Sequence, residues 1–221
     1  MKLKKIIGYS ALACVAAFSL AACTETGNEG PNTGGGKLTT YVMEAEYVDL
    51  DDVKGAGISS DQSGVELIYG EGTQAQKDKG WSSGYFVGFT YTAEFSMDFV
   101  FTASVESTAT IIIRLGSELG DITLNPDNFP IKLNGTAINY SSMFVAGNEG
   151  DMANMTFSDK TVATSATLKA GENKITLSIS PNDLRYGQTG GPTIDCIKIQ
   201  TTAELTYTEK TDNPSRRGGI I

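Results

Sequence analysis

The sequence predicts an all-β protein, an antiparallel β-sandwich of the jelly-roll kind, and two observations support this prediction. Short segments that alternate polar and apolar residues follow one another from Tyr41 onward, with little helical periodicity. Turn signals separate these segments, and no rhythm of strands and helices indicates a parallel sheet. The chain of 221 residues allows one such domain, placed at residues 40–201, with residues 202–221 as a C-terminal tail or edge strand.

Four segments illustrate the predicted strands. In Ser96–Ala103 every second residue is apolar and would face the core. Thr110–Leu115 is a largely apolar run, which is typical of a strand in the middle of a sheet. Ile131–Leu133 precedes Asn134-Gly135, the strongest signal for a two-residue hairpin, because a type I′ turn needs positive φ at both positions. Lys174–Ser180 alternates again after a predicted turn.

The composition excludes several classes of function. The formal net charge is −9 and the chain contains no His. An acidic chain is a poor partner for nucleic acid, because phosphates are neutralised by Lys and Arg. The lack of His removes the commonest general base and the Ser-His-Asp triad, and it makes a zinc site unfavourable. We therefore expect no nucleic-acid partner and no His-dependent catalysis.

The N-terminal segment is typical of an export signal rather than of a folded element. Residues 1–22 begin with Lys residues and continue into an apolar stretch that is short for a membrane span. They end in Leu20-Ala21-Ala22-Cys23, which looks like a bacterial lipobox, where cleavage precedes a lipidated Cys. The alternative is an ordinary signal peptide with an incidental Cys. Residues 23–39 are almost free of apolar side chains and predict a flexible linker.

Lipidation determines the expected location of the protein. Several fatty acyl chains, such as palmitate, on Cys23 would anchor it stably to a membrane, since each buried CH₂ contributes ~0.8 kcal/mol. We expect an outer-membrane or cell-surface lipoprotein. Cys14 would leave with the signal, so Cys196 remains alone and no internal disulfide is possible. Its apolar neighbours predict a small core side chain.

Three acidic residues form the predicted metal site. If Glu44 and Glu46 lie on one strand, they point to the same face and repel each other unless a cation lies between them. Asp195 shares parity with Ile197 and Ile199, which places a carboxylate on the apolar face at a strand end. If the first and last strands are neighbours, the three acids could share calcium, which takes about six to eight oxygen ligands. The alternative is that Asp195 caps backbone amides and both Glu side chains are solvated.

Six short motifs lie in a characteristic order between Tyr41 and Gln200. They are Glu44-Ala45-Glu46, Ser83-Gly84-Tyr85-Phe86-Val87-Gly88-Phe89, Ile113-Arg114-Leu115, Ile131–Gly135, Leu168–Ile175 and Ile194-Asp195-Cys196-Ile197. In this order the chain resembles carbohydrate-binding modules of the family-6 and family-35 type. The resemblance implies a galactose-binding-like sandwich that binds a polysaccharide or oligosaccharide without cleaving it. It also implies a structural calcium, held by Glu44, Glu46 and Asp195 away from the sugar site.

The resemblance places the sugar site at loops along one end of the sandwich, with four candidate residues. Trp81 and Tyr85 lie in a turn-rich stretch, and a sugar could stack on their rings. The alternative for both is a place in or at the edge of the core. Arg114 could pair with a sugar hydroxyl or carboxylate, or it could make a structural ion pair. Thr193 stands where the family often has an Asn, two residues before the closing Asp.

Two other functions remain open at this point. The same sandwich could be a structural or adhesion module that binds protein or no soluble ligand. A glycoside hydrolase would need two carboxylates about 5 to 9.5 Å apart across a cleft, and no motif singles out such a pair. We therefore expect a monomeric, non-catalytic binding protein rather than an enzyme.

Overall fold

The computed structural model describes residues 36–50, 68–88, 90, 95–179, 191–211 and 213. Within these ranges the chain forms thirteen strands, one short α-helix and two 3₁₀ helices. The strands are β1 (Thr39–Glu44), β2 (Ile68–Gly70), β3 (Tyr85–Val87), β4 (Ser96–Ala103), β5 (Ser107–Ser117), β6 (Ile122–Leu124), β7 (Ile131–Leu133), β8 (Thr136–Ala137), β9 (Met143–Val145), β10 (Ser158–Leu168), β11 (Gly171–Ser178), β12 (Pro192–Thr201) and β13 (Leu205–Thr206). The helices are α1 (Gln74–Asp78) and the 3₁₀ helices Ala45–Tyr47 and Met152–Asn154.

The larger sheet, sheet A, is organised around β12. Its order is β10-β5-β12-β3-β2, and β1 also pairs with β12, beside β3. All of these pairings are antiparallel. The first and last long strands of the described chain are therefore neighbours, as the sequence predicted. The run Thr110–Leu115 lies in β5, between β10 and β12, which confirms its central position.

The second sheet, sheet B, has the order β13-β4-β11-β7-β8, and β6 and β9 form a small separate pair. The alternation predicted for Ser96–Ala103 is confirmed, because Met97, Phe99, Phe101 and Ala103 are buried while the outward positions between them are partly or fully exposed. The main hydrophobic core lies between the two sheets. The all-β antiparallel sandwich predicted from the sequence is thus the observed fold.

The predicted hairpin is present between β7 and β8. Asn134 has φ 52° and Gly135 has φ 82°, the positive values that a type I′ turn requires. The Asn134 side chain donates to Asn173 Oδ1 at 2.9 Å, and its own oxygen accepts the backbone N–H of Lys174 at 3.0 Å. Asn173 is fully buried and also donates to the backbone oxygen of Lys169 at 2.8 Å. It therefore links this hairpin to the turn that precedes β11.

A second, smaller cluster of apolar side chains covers the outer face of sheet A. It consists of Tyr69, Trp81, Phe86 and Met155, with Phe157 packed against it. Tyr69 and Phe86 are cross-strand partners, and their rings stack with centroids 5.4 Å apart. The segments after α1 and around the second 3₁₀ helix therefore pack on this face.

The C-terminal segment is tied to the start of the domain. Asn213 is buried, and its amide donates to the backbone oxygens of Glu46 at 2.9 Å and Val48 at 2.7 Å. The N–H of Leu50 donates back to the Asn213 side chain at 3.3 Å. None of the helices in the described part of the chain is long and apolar enough to cross a membrane. The predicted signal peptide, Cys23 and residues 23–35 of the linker lie outside the described residues.

Candidate functional site

Glu44 and Glu46 lie in a different backbone arrangement from the one predicted. Strand β1 ends at Glu44, and the next three residues form a 3₁₀ helix, so the two residues do not share one strand face. Their carboxylates nevertheless reach neighbouring residues, because Glu44 accepts a hydrogen bond from the Ser82 hydroxyl and Glu46 accepts one from the Ser83 hydroxyl. Glu46 is fully buried, so the alternative of two solvated Glu side chains is wrong for this residue.

Asp195 occupies a β-bulge, which the parity argument did not anticipate. Ile194 lies opposite Leu115 and Cys196 lies opposite Arg114, so β12 has one extra residue at this point. Ile194 and Ile197 both belong to the main core, and Asp195 is the residue inserted between the two registers. The predicted placement of Asp195 on the face of Ile197 is therefore wrong. A bulge re-aims a side chain, and here it directs the carboxylate toward the Ser82 backbone and Arg114.

The Asp195 carboxylate is fully buried and has polar partners on two sides. Both of its oxygens accept the backbone N–H of Ser82 at 3.2 Å, as the capping interpretation of this residue proposed. Arg114 Nε lies 3.7 Å from Asp195 Oδ2 and 3.6 Å from Asp159 Oδ1. Burial raises the pKa of Asp195 to about 6, although the hydrogen bonds from Ser82 and the Arg114 charge act against this rise.

The pKa of Glu44 is raised further than that of Asp195. Burial, followed by repulsion from Glu46, raises the pKa of Glu44 to about 8, and Asp195 and Glu209 add smaller repulsions. The structure thus brings Glu46 and Asp195 within electrostatic reach of Glu44 around the Ser82–Ser83 loop. Among the described residues, no group of three or more Asp, Glu, Cys or His side chains has the arrangement of a metal site.

The loop that joins these acids is positioned by local structure. The Thr73 hydroxyl and the Gln76 side chain form a capping box at the start of α1. The backbone N–H of Trp81 donates to the backbone oxygen of Gln76 at 3.3 Å. Gly84 has φ 92°, and a Cβ there would lie 2.7 Å from the Cα of Gly72. Only glycine fits this close approach. The two serines were not predicted as site residues, although they lie in the turn-rich stretch before β3 and Ser83 begins one of the six motifs.

Trp81 is a core residue in this structure. It is 1% exposed, and its indole N–H donates to the Met155 oxygen at 2.8 Å. Its ring meets Phe86 edge-on at 5.1 Å and Phe157 edge-on at 6.0 Å. The ring therefore presents no face on which a sugar could stack, and the expectation of an exposed platform is not met. Of the two interpretations of Trp81, the structure favours the one in which it covers the core.

The other three predicted sugar residues are also largely enclosed. Tyr85 begins β3, is partly buried and packs against the main core. Arg114 makes the ion pairs with Asp159 and Asp195, which agrees with its interpretation as a structural residue. Thr193 is 1% exposed and its hydroxyl faces the Met155 sulfur at 3.8 Å. These residues lie near the carboxylate cluster, but they do not form an open sugar-binding surface.

An open site, here called groove 1, lies over the outer face of sheet B. Its cavity of about 820 Å³ is bounded by outward side chains of β4 and β11, the first 3₁₀ helix and residues 206–209. Two tyrosines, Tyr47 and Tyr207, line it together with the hydroxyls of Thr102 and Thr208. The Tyr207 hydroxyl donates to the Val42 oxygen at 2.5 Å, which fixes this ring.

The electrostatics of groove 1 are acidic. Its lining contains one ammonium group, Lys174, and five carboxyl groups: Glu44, Asp49, Asp98, Glu172 and Glu209. The pKa of Glu44 is raised to about 8, and Asp49 is paired with Lys210 at 2.7 Å. Lys174 is itself paired with Asp98 at 2.8 Å. The residues of groove 1 other than Glu44 were not predicted as site residues. The outward positions of an alternating strand such as β4 are the sequence signal that could have identified part of it.

A second open site, groove 2, lies where the edges of the two sheets face each other. Its cavity of about 680 Å³ is bounded by the β7–β8 hairpin, residues 138–141, and the middle of β10. Strand β10 is the edge of sheet A and β8 is the edge of sheet B. Sequence analysis gave no indication of this groove, because it depends on which strands become edges.

Comparisons with known proteins gave structural likenesses only. No family model matches the chain, and no curated protein matches it either. Among solved structures, the CBM35 from Cellvibrio japonicus Abf62 is 13% identical, with a TM-score of 0.45, over 77% of this chain and 98% of that one. A family 35 carbohydrate binding module from Clostridium thermocellum is 17% identical, with a TM-score of 0.44, over 72% and 97%.

A third similar structure is the Podospora anserina GH26-CBM35 beta-(1,4)-mannanase, which is 18% identical with a TM-score of 0.42. The match covers 79% of this chain, but this chain spans only 28% of the mannanase. Since identity is low in all three cases, the ligand of this chain has to be inferred from its own residues.

Proposed function

We propose that this chain is a non-catalytic carbohydrate-binding protein and that groove 1 is its principal binding site. The observation that supports this proposal is the combination of two tyrosine rings with hydroxyl and carboxylate groups in one open groove. Sugar rings have apolar C–H faces that pack on aromatic side chains, and they have hydroxyls that donate to carboxylates and accept from Thr. The six motifs that resemble carbohydrate-binding modules agree with a carbohydrate ligand.

The charge of groove 1 indicates which carbohydrates would bind. Its five carboxyl groups outnumber the ammonium groups that pair with them, Lys174 on Asp98 and Lys210 on Asp49. A uronic acid would bring its own carboxylate into this field and would be repelled. Neutral sugars would be accepted, because their hydroxyls can donate to the carboxylates without a charge penalty. The proposed ligand is therefore a neutral polysaccharide or oligosaccharide.

The test is retardation of the full-length protein in native gels that contain arabinoxylan, galactomannan, laminarin or polygalacturonate. We expect retardation by at least one neutral polysaccharide and none by polygalacturonate. Thr102→Arg fills groove 1 from an exposed strand position and should weaken binding at least fivefold. Thr123→Arg adds the same side chain to an exposed strand position outside both grooves and should have no effect.

The opposite result identifies the alternative function. If the protein is not retarded by any of the four polysaccharides, carbohydrate binding is overturned and a structural or adhesion module takes its place. The burial of Trp81 and Thr193, two of the predicted sugar contacts, favours that second function. Release of reducing sugar from any of the polysaccharides would instead indicate a hydrolase.

We also propose that a structural calcium is held by Glu44, Glu46 and Asp195. The donor set fits this ion chemically, because the three carboxyl groups and the Ser82 and Ser83 hydroxyls all offer oxygen. The raised pKa values of Glu44 and Asp195 mean that the buried carboxylates lack enough positive charge around them. A calcium ion bound to these residues would supply that charge and hold the Ser82–Ser83 loop to β1 and β12.

The proposed location is the outer membrane or cell surface, through a lipid on Cys23. This proposal rests on the lipobox-like sequence Leu20-Ala21-Ala22-Cys23. The test is the distribution of the protein between membrane and soluble fractions after expression in a bacterial host. The wild type should sediment with membranes and Cys23→Ser should not. A membrane-free wild type would support the ordinary signal peptide instead.

A further inference from the structure

We propose that groove 2 is a second carbohydrate site, selective for neutral chains and separate from groove 1. This inference rests on the proposed carbohydrate-binding function. It begins with the charge of the lining. Although charged residues make up 19% of the chain, groove 2 is lined by fifteen residues of which none is Asp, Glu, Lys or Arg. A site without charge gives no advantage to ionic ligands, and neither attracts nor repels neutral sugars.

The polar groups of groove 2 are available to a ligand. They belong mostly to Thr, Ser and Asn, and both walls provide them. Within the described part of the chain, no hydrogen bond to protein is made by these lining side chains: Thr136, Asn139, Ser141, Thr161, Ser165 and Thr167. Asn134 is different, because its amide is already bonded to Asn173 and to the Lys174 backbone. Hydroxyls and amides donate and accept, so they match the hydroxyl pattern of a sugar.

The floor of groove 2 supplies the apolar part of the recognition. Leu133, Tyr140 and Val162 lie beneath it with only 4–8% of their surface exposed, so the apolar surface that a sugar can reach is that of Ala137 and the half-buried Ile138. The Tyr140 hydroxyl donates to the Phe129 oxygen at 2.5 Å, so this ring is held in place. An apolar floor between two walls of hydroxyl groups suits the C–H face and the hydroxyl rim of a sugar ring.

The shape of β10 favours a sugar over an added β-strand. The pairing of β10 with β5 shifts register twice, between Thr161 and Ala163 and between Ala163 and Ala166. The exposed residues Thr164 and Ser165 lie within the second shift, outside the ladder. Bulges of this kind bend an edge strand and interrupt the regular row of backbone groups that another strand would need. Recognition here therefore depends on side chains, which excludes a second copy of β10 as the occupant.

The test uses the full-length protein and two substitutions at one exposed position in groove 2. Ser165→Glu fills part of groove 2 with a longer, strongly hydrated side chain, whereas Ser165→Asn adds a shorter, neutral polar one. Binding of arabinoxylan, galactomannan and laminarin is measured by affinity gels and by calorimetry. Ser165→Glu should weaken binding of at least one of them by fivefold or more, and Ser165→Asn by less than twofold. Circular dichroism melting checks that both variants fold.

The possible outcomes separate this inference from the proposed function. If Thr102→Arg weakens binding and Ser165→Glu does not, the proposed carbohydrate site in groove 2 is wrong and the site in groove 1 is supported. If Ser165→Glu weakens binding and Thr102→Arg does not, groove 2 is the site and groove 1 is overturned. If the wild type binds none of these polysaccharides, both fail. A change of oligomeric state in Ser165→Glu without a change in affinity would also overturn the inference, in favour of pairing between copies.

Discussion

Arg114 is an ion-pair partner of the buried carboxylate of Asp195, and its position follows from the register of sheet A. It lies opposite Cys196 on β12 and opposite Asp159 on β10, so its side chain leaves the core face and reaches both acids. Because Asp195 is fully buried and Asp159 is 43% exposed, the two ion pairs contribute differently to the stability of the fold. The ion pair with Asp195 offsets the cost of burying this carboxylate away from water.

Replacing Arg114 should therefore destabilise the protein in a pH-dependent way. We expect Arg114→Gln to lower the free energy of unfolding by about 1–3 kcal/mol at pH 8, where Asp195 is ionised. The loss should be smaller at pH 5, below the Asp195 pKa of about 6. Urea unfolding in chelator measures both values. Lys174→Gln removes a surface pair that is 47% and 40% exposed and should cost less than about 1 kcal/mol. Equal losses for the two variants would contradict the argument.

The Glu44 carboxyl predicts a second pH effect, with the opposite consequence for stability. Its pKa in the folded state is about 8, above the ordinary value of 4.5. Between these values the folded state binds more protons than the unfolded state, so the contribution of Glu44 to stability falls as pH rises. In chelator, Glu44→Gln should therefore be more stable than the wild type at pH 8 and equal to it below pH 4.5.

The same Glu44→Gln variant separates the apo protein from the proposed calcium-bound one. With calcium present at pH 8, the variant lacks one ligand and should become the less stable of the two proteins. Melting curves with chelator and with calcium measure this reversal. A variant that is less stable than the wild type in chelator at pH 8 would show that Glu44 stabilises the fold without a metal.

At the scale of elements, residues 207–211 and Asn213 tie the C-terminal segment to the first 3₁₀ helix, and they are here called the strap. Its anchor is Asn213, whose amide and carbonyl bond to three backbone positions between Glu46 and Leu50. Lys210 adds a backbone bond to the Tyr47 oxygen at 2.8 Å. This strap crosses one border of groove 1, because residues 206–209 line it. The C-terminal segment thus helps to shape the proposed binding site.

Asn213→Ala should loosen this strap. It leaves the Leu50 N–H and the Val48 oxygen without their partner, and we expect a loss of about 1–3 kcal/mol in unfolding free energy. Hydrogen exchange at the Leu50 amide should accelerate more than exchange in β5. The control is Thr208→Ala, which changes an exposed residue of the same segment and should alter neither quantity. Unchanged protection at Leu50 in Asn213→Ala would contradict the proposed role.

The elements were more predictable from the sequence than the site. The alternation of Ser96–Ala103 and the Asn134-Gly135 turn are local patterns, so they needed no knowledge of the partner strands. The bulge at Asp195 depends on register with β5 and cannot be read from one strand. For Trp81, a buried and an exposed ring have the same local sequence, and only the packing of Phe86 and Phe157 decides between them.

For the whole molecule, calcium binding is the most general prediction. A ligand that binds only the folded state stabilises it by about 2.7 kcal/mol at one hundred times its dissociation constant. For a domain of this size, such a gain raises the melting temperature by about 5–10 °C. Calcium should produce this rise, magnesium should produce less, and chelator should reverse it. No response of the melting temperature to calcium or chelator would overturn the proposed calcium at Glu44, Glu46 and Asp195.

The pairing of β1 with β12 gives the sandwich a direction. Thr39 lies opposite Thr201 and Glu44 lies opposite Cys196, so the domain is entered at one end and the carboxylate cluster lies at the other. The two ends of β1 are roughly 17 Å apart along the strand. Any attachment upstream of Thr39 therefore joins the domain at the end opposite to the carboxylate cluster. The Ser82–Ser83 loop, with its three acids, then lies at the end of the domain that is far from this attachment.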